Sequence, residues 1–539
     1  VNRIVIVGEG YQAGKAFRTA QRIHPKADLV WISDFEDQKY SLPMISLLLK
    51  SGAKVSEWSR IKARIKVDFE RYQQSINLAP QRVKKIKIDP KESEISFLTG
   101  MGNISYSFDK VLVFPAKVVE YHDKLQDNHY VWPKDSCVQF LVDNWESIEN
   151  PVVAGSDLSL VQAMVQGGKK CLWIRTGNTF TPQIQHFLDQ RLEHAGLKIM
   201  PALTENELQE ILKNAADTGH VEQPVFFCGH LKTDYARLEG YGLKDQDIKQ
   251  DDPELPGEKK VVLIDGSGPD NINNLGFSPE SELAHSINMV DAALAGGEHS
   301  HRALSIMYWN MGALSAAKTG LDMVEARSRG FTPEFALVHG AHGIFADKPY
   351  ALNMIMDKPT KKIIGLEAVG EKAHEWANLA ACFSVNSSTV PEILTRDIVW
   401  PDLVINPLTR CARMLENKTS PAILGITPDE LKQSADDGAE FFLLDVRKKE
   451  EFALGRIPGA SNIPLNQLKK RIMEIPRFTP IVLYSECSGR AYEAARLLKN
   501  MGAKQLYVLD GGFGLYNLDK DFSPLSQSQT GVSRACPSC

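Results

Sequence analysis

Short apolar runs punctuate the first 330 residues, separated by segments of helical period. They fall at residues 4–7, 28–32, 110–114, 151–154, 170–174, 225–228 and 260–264. Runs this short and this apolar fit strands buried on both faces of a parallel sheet and covered by helices. Three of them lead into turns at Gly8, Gly155 and Gly266. That alternation predicts two Rossmann-like layers, one nested in the other. From about Phe331 the texture changes. Residues 350–357 read as a strand, Lys358-Pro359-Thr360-Lys361 as a turn, and 362–369 as a returning strand before a helix. Residues 417–424 with Gly425 read as a linker, and Thr427-Pro428-Asp429-Glu430 as a capping box with proline at the first helical position. A second α/β unit follows. The last stretch, 523–539, is rich in Ser, Gln and Gly and reads as a flexible tail.

The expected fold class is therefore α/β. Two interleaved Rossmann-like domains cover 1–149 with 261–330, and 150–260. An α+β domain covers 331–420, a C-terminal α/β domain covers 424–522, and the tail is 523–539.

Composition narrows the function classes. The 539 residues carry a net charge of −5, so there is no basic footprint for nucleic acid. No apolar run approaches the roughly 18 residues of a membrane helix. The first residues run straight into a strand, so no signal peptide is expected. Eight cysteines over this length do not make a disulfide framework, and a cytoplasmic setting fits best.

Val5-Ile6-Val7-Gly8-Glu9-Gly10-Tyr11-Gln12-Ala13-Gly14 matches a strand followed by G-x-G-x-x-G/A. Such glycines permit a tight turn and a close approach to pyrophosphate, which the helix N-terminus then faces. Asp34, after the next strand, is the candidate for a ribose hydroxyl. Gly8, Gly10, Ala13, Gly14 and Asp34 are thus the candidate nucleotide-binding residues.

Around this turn the chain resembles the pyridine nucleotide-disulfide oxidoreductase family over roughly residues 1–420. Phe108-Asp109-Lys110-Val111-Leu112-Val113 looks like its Tyr-Asp-Lys-strand run. Residues 349–370, with Gly365-Leu366-Glu367-Ala368-Val369-Gly370, resemble its dimerisation domain, and Asn406-Pro407-Leu408 stands where that domain has its final helix. The coenzyme A-disulfide and persulfide reductases are the nearest branch, since they too carry a rhodanese domain. The resemblance implies FAD, NADPH or NADH, and a homodimer.

The departures are specific. Phe114-Pro115-Ala116 replaces the family's Ala-Thr-Gly beside the flavin. Tyr40-Ser41-Leu42-Pro43-Met44-Ile45-Ser46 holds no redox cysteine, as in the branch that passes electrons to other proteins. Gly296-Gly297 with Glu298 stands for the late Gly-Asp. At the expected nicotinamide turn, the pattern's three glycines are read as Ala154, Ser156 and Ser159, with Asp157 among them and Arg175 at the usual acidic position. Weak nicotinamide binding is expected, with any preference for NADPH.

Leu443-Leu444-Asp445-Val446-Arg447, Glu451-Phe452, Gly455-Arg456-Ile457-Pro458-Gly459-Ala460, Asn462-Ile463-Pro464 and Gly511-Gly512-Phe513 closely resemble a rhodanese domain. That family carries sulfur on a cysteine opening a C-x-x-G-x-R loop. Here the loop is Ser485-Glu486-Cys487-Ser488-Gly489-Arg490. A serine cannot carry a persulfide, so thiosulfate:cyanide turnover is expected to be negligible. Cys487 and Arg490 are the candidates for sulfur chemistry. Cys536-Pro537-Ser538-Cys539 has redox-pair spacing and is the candidate resolving dithiol. Cys137, Cys171, Cys228, Cys382 and Cys411 read as buried and inert, and His299 and His301 as turn residues, so no metal site is expected.

Two functions follow. One is a flavin-type oxidoreductase of sulfur metabolism acting on a persulfide, a disulfide or a protein partner, with a sulfur-carrier or electron-transfer protein as the implied partner. The other is a degenerate dimeric scaffold that has lost the nicotinamide site and the sulfurtransferase activity.

Overall fold

The computed structural model describes residues 3–34, 81–114, 117–119, 129–132, 135–176, 179–202, 224–228, 231–233, 239–243, 261–263, 290–294, 306–311, 314–342, 348–396, 398, 406–419, 423–476 and 478–517, except 9, 156, 157 and 292. The chain divides into two compact units. One holds Val1–Gly177 with Ala195–Gly312, and the other holds Asn178–His194 with Ala313–Cys539.

The first unit contains two parallel sheets. In one, the strand order is Val261–Leu263, Lys110–Val113, Arg3–Val7, Asp28–Ser33 and Gln81–Arg82. Alternate residues point to opposite faces. Val5, Val7, Ile32, Val111 and Val113 pack against Ile86, Ile88, Ile95 and Phe97 of a three-stranded antiparallel sheet. Ile4, Ile6, Trp31 and Leu112 pack against Ala13, Ala16, Phe17 and Ala20 of the helix Gly10–Ile23. This two-sided burial explains why the strands read as unbroken apolar runs. In the other sheet the order is Lys198–Ala202, Leu172–Thr176, Val152–Gly155, Val225–Cys228 and His129–Trp132.

The second unit begins, after its short segment 178–194, with an antiparallel sheet. Its strands run in the order Leu314–Gly320, Ile363–Val369, Lys348–Asp357 and Pro333–His342. The turn after Asp357 is closed by the Thr360 hydroxyl donating to the Asp357 carboxylate at 2.6 Å. The helix Pro407–Lys418 starts on an Asn406 cap with proline at its first turn. A parallel sheet follows in the order Ile423–Ile426, Leu506–Leu509, Ile481–Tyr484, Phe442–Asp445 and Ser461–Asn462. The Thr427–Glu430 capping box forms with both of its reciprocal hydrogen bonds.

The linker expected from residue 417 is not a loose tether at its start. Lys418 is 1% exposed and is pinned between the two sheets. Its ammonium donates to the Phe335 carbonyl at 2.5 Å and to Asp510 at 2.6 Å, and Asp510 also accepts from the Tyr492 hydroxyl at 2.8 Å. A lone lysine beside a glycine-containing stretch looks solvated in sequence. Here a buried carboxylate far along the chain captures it. Nearby, His339 is buried against Gly514, and its ring stands edge-on to Phe187.

Candidate functional site

The first glycine turn is built as its pattern requires. Gly8 has φ +132°, and a Cβ there would sit 2.7 Å from the Cβ and carbonyl oxygen of Phe114. Only glycine meets both conditions without strain. The helix opens at Gly10, and Ala13 is fully buried where the helix presses on the sheet. Gly14 stands against Trp31, whose indole N–H donates to the Gly8 carbonyl at 2.8 Å. Asp34 follows the second strand and accepts the Tyr241 hydroxyl at 2.6 Å, so a ribose hydroxyl would share that carboxylate. Phe114 closes the turn from the third strand, its N–H bonded to the Val7 carbonyl at 2.8 Å.

The second turn repeats this frame, and the repeat corrects its reading in sequence. Gly155 has φ +137°, and the Trp173 indole donates to its carbonyl at 2.9 Å. Trp31 pairs with Ile6, two residues before Gly8, and Trp173 pairs with Val153, two residues before Gly155. Gly155 is therefore the first glycine of the pattern, not Ala154. The remaining two positions become Asp157 and Leu160, where the first turn has Gly10 and Ala13. The same frame sets Arg175 opposite Ser33, and Thr176 opposite Asp34. Leu160 is fully buried, where the close helix–strand approach calls for a small residue. The first turn fits a dinucleotide pyrophosphate. At the second, Leu160 stands where the first has Ala13.

The C-terminal loop leaves the strand Ile481–Tyr484 and ends at the helix Gly489–Asn500. Ser485 is fully buried, and its Oγ accepts the Ala491 N–H at 3.2 Å. Its carbonyl accepts from Phe513 N–H, and that of Glu486 from Gly514 N–H, at 2.8 and 3.1 Å. Gly512, at φ +66°, lies so close under these two carbonyls that a Cβ would collide with both. Ser488 caps the helix in the left-handed region at φ 68°, and its hydroxyl donates to the Leu509 carbonyl at 2.8 Å.

Two arginines brace the loop. Arg447 clasps Asp445 through Nε and Nη2, reaches Glu486 at 3.0 Å, and lies over the Phe513 ring at 4.2 Å. Arg490 grips Glu451 with two hydrogen bonds of 2.8 and 2.6 Å. Burial alone would raise the Glu451 carboxyl. Hydrogen bonds from Arg490 and the Lys448 N–H outweigh it and hold the group below its usual range. Arg490 is thus engaged with a carboxylate that sequence reading left unassigned. Glu451 sits in the short helix Lys449–Leu454, and only the fold brings it to Arg490.

Cys487, 6% exposed, is disulfide-bonded. Cys536 and Cys539 lie outside the described residues. The segment 40–46, Gly296, Gly297, Glu298, His299 and His301 also lie outside them. Burial pushes the Cys171 and Cys411 thiols up to about 12 and that of Cys137 higher still, which fits their inert reading. Cys382 departs from it. It is exposed, because the helix Ala373–Val385 turns this position to solvent. The Cys228 side chain is not among those described.

These elements define two Rossmann-like sheets and an antiparallel sheet, continued by a rhodanese-type α/β domain. Comparison with known proteins places the parts. Residues 427–518 match the rhodanese-like domain, so the chain belongs to the rhodanese-like family through this region. A sulfurtransferase of Allochromatium vinosum is 32% identical over 87 residues, which are 16% of this chain and 81% of that protein. The Bacillus subtilis protein YqhL is 48% identical over 71 residues, 13% of this chain and 56% of its own length. Two solved structures share the fold over nearly the whole chain. Reduced CoADR-RHD of Bacillus anthracis has a TM-score of 0.76 at 17% identity, covering 96% of this chain and 98% of that one. An NAD-dependent persulfide reductase from A. fulgidus has a TM-score of 0.73 at 16% identity, covering 95% and 100%. Among the described residues, no helix is long and apolar enough to cross a membrane.

Proposed function

We propose that the chain is a flavin-type oxidoreductase of sulfur metabolism. It acts on a persulfide, a disulfide or a protein electron partner. The observation that carries this reading is the intact first glycine turn, on a reductase scaffold that continues into a rhodanese-like domain. FAD would be held with its pyrophosphate at Gly8, Gly10, Ala13 and Gly14 and its ribose near Asp34. When bound, it supplies a two-electron store between donor and sulfur acceptor. Gly8 and Gly10 admit the phosphate, and the helix N-terminus faces its charge. Trp31 fixes the Gly8 carbonyl away from the phosphate-facing amides. Electrons would come from a reduced nicotinamide cofactor, whose binding Asp157 and Leu160 would leave weak, with any preference for NADPH. Arg490 and Cys487 serve the sulfur end, with Cys536 and Cys539 as the resolving pair. The protein works in the cytoplasm as a homodimer.

The test is the visible spectrum of purified protein and of Gly10→Val. The wild type is expected to show the near-ultraviolet and blue bands of oxidised flavin, and the variant to be colourless while still folded by circular dichroism. A yellow variant would remove the flavin from this turn, and a colourless wild type would remove it from the protein.

A further inference from the structure

The loop that carries Cys487 is held from behind by one short segment. Ser485 and Glu486 give their carbonyls to the N–H groups of Phe513 and Gly514, at 2.8 and 3.1 Å. Ser488 donates its hydroxyl to the Leu509 carbonyl at 2.8 Å. Asp510, within that segment, accepts the Tyr492 hydroxyl at 2.8 Å from the helix that follows the loop. Residues on both sides of Cys487 thus depend on where 509–514 stands. We propose that Lys418 is a positioning residue for the Cys487 loop, fixing segment 509–514 against the antiparallel sheet. Its role presupposes that this loop is the sulfur end of the molecule.

Strand order explains why the sheet can do this. Pro333–His342 is last in its sheet, so its outer carbonyls face no further strand among the described residues. Phe335 and Leu337 are alternate residues, so their carbonyls point the same way. The Gly511 N–H donates to the Leu337 carbonyl at 2.9 Å. The Lys418 ammonium donates to the Phe335 carbonyl at 2.5 Å and to Asp510 at 2.6 Å. It also lies 4.2 Å over the Phe335 ring and 3.5 Å from the Glu334 carboxylate. A Cβ at Gly425 would strike both the Asp510 carboxylate and the Lys418 ammonium, so glycine there admits the pair. His339 packs so closely on Gly514 that a Cβ on that glycine would strike its ring. One edge strand therefore grips the segment at alternate positions 335, 337 and 339.

The lysine is the grip whose loss the backbone cannot absorb. Lys418 and Asp510 are 1% and 0% exposed. A buried carboxylate that loses its cation must reach water or take a proton. Reaching water draws Asp510 and its neighbours off the strand. Taking a proton removes the bridge from Asp510 to Phe335 and leaves the Gly511 bond to hold the segment. Either way, the partners of Ser485, Glu486 and Ser488 lose their rigid backing. Arg447 still holds Glu486, and Arg490 still holds Glu451, so the loop loosens without unfolding.

The test uses the full chain as wild type, as Lys418→Met, and as Lys418→Met with Asp510→Asn. The double variant removes both charges of the pair, so it stays folded if the single variant does not. Amide hydrogen exchange is read by mass spectrometry. In the variants, residues 485–491 and 509–514 are expected to exchange about tenfold faster, while the strand Phe442–Asp445 stays within about twofold of the wild type. After reduction with a phosphine, iodoacetamide should alkylate Cys487 about fivefold faster in the variants, with Cys411 unchanged. Cys411 is buried in the helix that ends at Lys418, about two turns earlier, so it reports general loosening instead of loop position. Unchanged loop exchange in the folded double variant would overturn the proposal, and so would an equal rise at Phe442–Asp445 or Cys411. None of these readouts requires flavin or turnover. A wild-type Cys487 that takes up no sulfur from polysulfide would remove the sulfur reading alone, and hydrogen exchange would still decide whether Lys418 positions the loop.

Discussion

The two glycine turns of the first unit share a backbone and differ in chemistry. Gly8 and Gly155 have nearly the same positive φ, and each carbonyl takes an indole N–H from a tryptophan in the same register. The frame that shapes a dinucleotide turn is therefore separable from the residues that admit the phosphate. Gly10 and Ala13 leave room at the first turn. The second has Asp157 and Leu160 at the corresponding positions of the sequence, and Leu160 is fully buried. Strand pairing keeps the geometry in both, because the sheet needs it whether or not a ligand is bound.

The largest effect should come from the glycines themselves. Gly8→Ala must adopt an unfavourable φ and displace Phe114, so it should cost about 3 kcal/mol or more in denaturant unfolding. Gly155→Ala should also be strongly destabilising, and a cost well under about 1 kcal/mol would break the equivalence of the turns. Next come Trp31→Phe and Trp173→Phe. Each leaves a buried glycine carbonyl without its donor, for about 1–3 kcal/mol in the same measurement, and the two should agree closely. The smallest effect concerns the ligand. Calorimetry should find NADH binding no tighter than about 1 mM in the wild type. The double variant Asp157→Gly with Leu160→Ala should tighten it about tenfold, or ~1.4 kcal/mol. A micromolar wild-type constant would show that the second turn admits phosphate after all.

The strands were legible because both faces of each sheet are covered, which leaves short apolar runs in the sequence. The frame of the second turn was not, since Ala154-Gly155 does not reveal which residue takes the positive φ. Only the tryptophan bond and the strand register settle it. The repeated tryptophan was a usable signal, lying three residues before Asp34 and three before Thr176. The Ser485 substitution could be read directly from loop length. The pairing of Arg490 with Glu451 could not, because 39 residues separate them and many acidic residues were available. The capture of Lys418 by Asp510, across 92 residues, was hidden for the same reason.

The Lys418 junction and its neighbour His339 together make folding a proton exchange. Burial, with Arg191 adding to it, lowers the His339 imidazole to about 4. Burial also raises the Asp510 carboxyl to about 6, although Lys418 and Tyr492 oppose the shift and Glu334 adds to it. Between about pH 4 and 6, the unfolded chain holds a proton on His339 that the folded chain lacks. Over the same range, the folded chain holds a proton on Asp510 that the unfolded chain lacks. The His339 contribution is therefore lost as pH falls from 6.5 towards 4. The Asp510 contribution is lost as pH rises from 3.8 through 6. Each slope approaches about 1.4 kcal/mol per pH unit, with opposite sign, so their sum is nearly flat. Removing either group unbalances the pair. His339→Phe should leave stability falling as pH rises through this window, and Asp510→Asn should leave it rising. Urea titrations at pH 4.5 and 6 read both signs. Equal slopes in the two variants would mean that these groups do not set the acid response of the junction.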